Sequence, residues 1–116
     1  MGKSAGKKDL KPPKVTYPQG GENIPPNWKA EWLAEDLHDV MDGGSDSEFT
    51  KDEKWMQLRD LPTDEMVIAV YDVFNQVYIK EGNGTLTQWI DDEINYDWFS
   101  GVKSSTLERL KKLGLR

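Results

Sequence analysis

From Met66 to Ile79 the chain is apolar at nearly every position, and such a segment is stable only where neighbours cover it on most sides. Glu65 just before it and Asp72 and Gln76 within it, with Ala69 between them, recur at spacings of three and four and draw a thin polar seam along a helix. Thr63 supplies an N-cap, and Asp64-Glu65 suit the positive end of a helix dipole. The stretch therefore reads as a central, buried helix. A competing reading exists. Val77-Tyr78-Ile79-Lys80 and Thr85-Leu86-Thr87-Gln88-Trp89 flank Glu81-Gly82-Asn83-Gly84, and Asn-Gly between β-prone runs signals a hairpin. Seam and caps together favour the helix.

Partners for that helix are written on both sides of it. Asn27 is an N-cap candidate, followed by Trp28, Trp32, Leu33, Leu37, Val40 and Met41 as a core stripe, with Gly43-Gly44 as the stop. Thr50-Lys51-Asp52-Glu53 has the form of a capping box opening a helix with Trp55, Met56 and Leu58, which Leu61-Pro62 ends. Thr85 to Gln88 repeats the box before Leu86, Trp89, Ile90 and Ile94. Ser105 to Glu108 does so again before Leu107, Leu110 and Leu113, and Gly114 ends that helix. The expected fold is all-α, a small bundle of about four to five short helices, with an α+β alternative carrying a hairpin at 77–90. Residues 1–26 hold five of the six prolines and four glycines, and are expected to be an extended arm on a helical domain over 27–116.

The chain has no cysteine, which removes disulfides, thiolate metal sites and thiol catalysis. No apolar run approaches the roughly 20 residues of a membrane span, and no secretory or myristoylation signal opens the sequence. A soluble, cytoplasmic protein, or one inside a particle assembled in the cell, is expected. No Walker loop, dinucleotide fingerprint, nucleophile elbow or zinc-spaced pair is found, so neither an enzyme nor a cofactor or metal is expected. His38, the single histidine, falls among Glu35, Asp36 and Asp39 and reads as a solvated surface residue. Asp42, Asp46, Glu48, Thr50 and Glu53 have some EF-hand spacing. Gly44 offers no ligand at the third place, however, and Ser47 stands at the sixth, where glycine permits the turn, so an acidic loop is expected. Gly82-Asn83-Gly84-Thr85 is similar to the calcium loop of annexins over those four residues alone, and a turn between helices explains the same letters.

Charge is what points to function. Residues 1–14 carry Lys3, Lys7, Lys8, Lys11 and Lys14 against Asp9. Residues 103–116 carry Lys103, Arg109, Lys111, Lys112 and Arg116 against Glu108, so each end has a net charge of +4. The 88 residues between hold 5 basic and 19 acidic groups, a net of −14. Opposite-sign blocks attract over about 8–10 Å at physiological salt, which favours contact within the chain or between chains. The densest acidic cluster is Asp91, Asp92 and Glu93 with Asp97. It is expected either to be clamped by the last helix through Lys103, Arg109, Lys111 and Lys112, or to dock a basic partner. Tyr96, Trp98 and Phe99 beside it have the composition of an interface hot spot.

The leading expectation is a non-enzymatic interaction or assembly protein, an adaptor or a component of a large particle such as a virion. Its acidic-aromatic body binds protein, and its basic arm lies on a neighbouring subunit or a second copy. An acidic inhibitor imitating a nucleic-acid surface is the alternative of a different class. Accessory nucleic-acid binding through the five arm lysines ranks below it, because the acidic body repels phosphate.

Overall fold

A computed structural model describes residues 23–42, 48–94 and 101–116, with the side chains of residues 48 and 49 not among them. The protein is all-α. Its helices are α1 (Ala30–Met41), α2 (Glu48–Arg59), α3 (Asp64–Tyr78), α4 (Leu86–Asp92) and α5 (Val102–Lys112), with a 3-10 turn at Ile79–Glu81. The arm expected over 1–26 lies outside the described residues up to residue 22.

The central helix forms where the apolar run predicts it. Thr63 caps α3 by accepting the Met66 N–H at 3.1 Å, and its own hydroxyl donates to the Asn23 carbonyl at 2.7 Å. Val67, Val70, Val73 and Phe74 are all at most 1% exposed. The seam is displaced from the expected line, because Ala69 is buried while Ile68, at 36% exposure, takes the outer position. Helix α1 packs on α3 and α2, α2 on α5, and α4 on α5 and α3, so the chain closes around one core. Trp55 and Leu58 of α2, Leu86 and Ile90 of α4, and Val102 and Leu110 of α5 complete it. Each such side chain contributes about 1.5–3 kcal/mol by leaving water.

No hairpin forms over 77–90. Val77 and Tyr78 finish α3, the 3-10 turn follows, and Gly82 (φ 84°) and Gly84 (φ 88°) turn the chain into α4. The capping box at α4 is present in full, Thr85 accepting the Gln88 N–H while the Gln88 side chain accepts the Thr85 N–H. Three other start signals are misplaced. Helix α1 begins after Lys29 and not at Asn27, α2 begins at Glu48 and so places Thr50 inside the helix, and α5 begins three residues before Ser105. Burial of Val102 at 2% exposure draws the first turn of α5 back to Gly101, whose left-handed conformation (φ 62°) only glycine adopts freely. The Gly114 stop is present, at φ 79°. At the other end of α1, the expected Gly43-Gly44 stop falls outside the described residues, and the helix itself ends at Met41.

Candidate functional site

Because α1 starts at Ala30, its buried stripe is Ala30, Leu33, Ala34, Leu37, Val40 and Met41. Trp28 lies before the helix, so it is not one turn below Trp32 on a shared face. Trp28 packs half-buried against the core, while Trp32 shares its face with Asp36 and is 57% exposed. This corrects the expectation that both are core. Trp28 and Trp32 instead line a groove of about 380 Å³ with Leu61, Pro62, Asp36 and Asp60. Both carboxylates have basic neighbours: Lys54 donates to Asp36 at 3.2 Å, and Arg59 grips both oxygens of Asp60 at 2.8 and 3.0 Å, with Arg109 close by. The Arg59 hydrogen bonds hold the Asp60 carboxyl below the usual carboxylate range. The groove is thus an apolar trough with an ionised edge. Asn23 is tied to Thr63 beside Pro62, so the described chain begins at the end of this trough.

The expected acidic site is only partly described. Tyr96, Asp97, Trp98 and Phe99 lie outside the described residues, as do Lys3, Lys7, Lys8, Lys11 and Lys14. Asp91 and Asp92 are exposed at the end of α4, where carboxylates meet the negative pole of the helix. Glu93 is engaged. Lys51 of α2, itself 7% exposed, reaches the Glu93 carboxylate at 2.9 Å and the Ile94 carbonyl at 3.0 Å. Lys103 donates to the Glu93 carbonyl at 2.7 Å. Cations from both α2 and α5 therefore reach this segment, Lys103 being the one of the expected clamp residues that does so. Arg109, expected to join in, turns the other way and donates to the Arg59 and Leu61 carbonyls at 2.6 and 2.7 Å and to Asp64 at 3.0 Å. Asp92 and Glu93 also line a small cleft of about 230 Å³ with Asp42, Asn83 and Trp89.

His38 is not a solvated residue. Its side chain is 12% exposed, and its ring stacks on Tyr78 at 3.8 Å with 4° between planes. It sits at the margin of the buried stripe, between Ala34 and Met41 on the helix surface, so the aromatic residues of α3 and α4 cover it. Phe74 and Trp89 stand 6.3 and 5.3 Å away. Nε2 lies 3.0 and 3.1 Å from the two oxygens of Glu81, and Nδ1 lies 3.8 Å from Asp39. Beneath it, burial and the nearby Glu35, Asp39, Glu81 and Asp42 carboxylates push the Tyr78 phenol well above its ordinary pKa. Sequence reading missed this cluster because Glu81 is 43 residues from His38. The only local sign is the i, i+4 pair His38–Asp42.

Compared with protein-family models, curated proteins and solved structures, the chain matches none.

Proposed function

We propose that the protein is a non-enzymatic assembly module in which the Trp28–Trp32 groove of one copy receives the lysine- and proline-rich arm of another. The observation that carries this reading is Trp32, a tryptophan 57% exposed on the wall of an apolar groove. An extended segment with prolines has few conformations to lose, and its compact apolar rings pack against indole faces, which is how aromatic-lined grooves bind such segments. Residues Lys11-Pro12-Pro13-Lys14 have that chemistry, with a lysine on each side to meet Asp36 and Asp60. The Lys54–Asp36 pair is half-buried and still reached by solvent, which screens it and lets an arriving lysine compete for Asp36. Asn23, the first described residue, is tied to Thr63 next to Pro62 of the groove wall, so the arm joins the body close to a groove, and two copies can exchange arms reciprocally.

Sedimentation velocity on the full chain tests this. The parent associates. Trp32→Ala (a groove variant) and the double variant Lys11→Glu with Lys14→Glu (an arm variant) sediment as monomers with unchanged circular dichroism. Mixing the two restores a heterodimer, because one intact groove then meets one intact arm. A parent that stays monomeric at every concentration, or a Trp32→Ala protein that associates as the parent does, overturns the reading.

A further inference from the structure

The His38 shelf uses none of the groove residues and carries a separate function. We propose that His38 Nε2 and the carboxylates of Asp42 and Glu81 form a binding site for a divalent transition-metal ion of the zinc class. One donor atom from each of the three lies within 4.8 Å of the others. Donors held about 2.0–2.2 Å from a tetrahedral zinc ion stand about 3.3–3.6 Å from one another. Nε2 lies 3.0 and 3.1 Å from the two Glu81 oxygens, a hydrogen-bonded pair that a shift of a few tenths of an ångström opens to that spacing. Asp42 is exposed at the C-terminal end of α1, one turn beyond His38, and closes the remaining gap by a side-chain rotation.

The imidazole is what separates this site from an ordinary acidic patch. Its ring orientation is set before any ligand arrives, by the parallel stack on Tyr78 and the tilted packing of Trp89. Asp39 lies 3.8 Å from Nδ1, beyond hydrogen-bond length but on the side from which a carboxylate orients a metal-bound histidine. The ion takes the place of the Nε2–Glu81 hydrogen bond, and the metal-bound imidazole is neutral with its one proton on Nδ1. Asp42 and Glu81 bring two negative charges to the site and Asp39 stands 3.8 Å from the same imidazole, so a dication is drawn to it. A nitrogen donor favours zinc-class metals over calcium or magnesium, which prefer all-oxygen shells. Three protein ligands leave the fourth tetrahedral position to water on the exposed side.

His38 is the single histidine, so the full chain without an affinity tag gives one pair of imidazole nitrogen resonances. Titration with zinc chloride is expected to shift Nε2 at one equivalent and to raise the melting temperature, while magnesium leaves the imidazole unmoved. Asp42→Asn and Glu81→Gln each weaken zinc binding by about tenfold or more, as loss of a ligand should. Asp42 is exposed, so its variant keeps the fold. Zinc that leaves the His38 nitrogens unshifted, Asp42→Asn and Glu81→Gln proteins that both bind zinc as the parent does, or magnesium binding as tightly as zinc overturns the proposal.

Discussion

Tyr78 makes the local chemistry measurable. Its phenol is held neutral by burial and by the four carboxylates around it, so in the folded chain it keeps its proton beyond the pH at which a free tyrosine ionises. The unfolded chain loses that proton near the ordinary value of about 10. Above that pH the unfolded state binds fewer protons than the native one, so stability falls as pH rises through the ordinary tyrosine range. Tyr78→Phe keeps the ring under His38 and removes this penalty. Denaturant midpoints measured from pH 8 upward are expected to fall less steeply for the variant than for the parent, and parallel curves would show that Tyr78 ionises normally. Lys51 is instructive in another way. Its burial is sustained by two oxygens, from Glu93 and Ile94, that lie 42 and 43 residues away. No local pattern marks it as different from its exposed neighbour Glu53.

The helices start and stop by different rules. Where a cap is a side chain reaching its own first turn, as at Thr63 and at the Thr85–Gln88 box, sequence reading locates it, because every atom involved lies within four residues. Where burial of the first turn decides, as at Val102 or Ala30, cap-like letters on either side of the true start mislead. Gly84 belongs to the first group. A Cβ there would stand 2.0 Å from the Gln88 side-chain oxygen, and its φ of +88° strains any other residue. Gly84→Ala therefore breaks the box as well as the turn. A loss of about 1–3 kcal/mol is expected from chemical denaturation. A loss no larger than that of a surface substitution would mean the box contributes nothing. The same reasoning explains Trp32. The spacing Trp28–Trp32 looks like one helical turn, but the helix begins between them, and phase counts only from residues that are actually helical.

Across the whole molecule, long-range polar contacts join the helices at their ends. Arg109 of α5 satisfies two carbonyls at the end of α2 and a carboxylate at the start of α3, holding three elements in register. Thr87 donates to the Leu115 carbonyl at 2.8 Å, and Thr106 donates to the Trp55 carbonyl at 3.2 Å, fixing α5 to α4 and α2. Arg109→Met keeps the stem and removes the fork. It is expected to cost about 2–4 kcal/mol, since charge-assisted bonds contribute more than neutral ones and two carbonyls lose their partner. Arg109→Lys should recover only part, because one ammonium cannot reproduce a planar fork. Thermal melts of the three proteins test both statements, and a Met variant as stable as the parent would remove Arg109 from the architecture.

The apolar run at 66–79, the capped turns around it and the segregation of charge follow from the linear order of residues alone. They depend on interactions within a helical turn or on composition, and these survive without knowledge of the fold. The exposed Trp32 wall, the buried Lys51 and the meeting of His38 with Glu81 were decided by packing. Each requires two helices to take up one particular rotation against each other, and that rotation is the joint solution of every buried side chain rather than the property of any one segment.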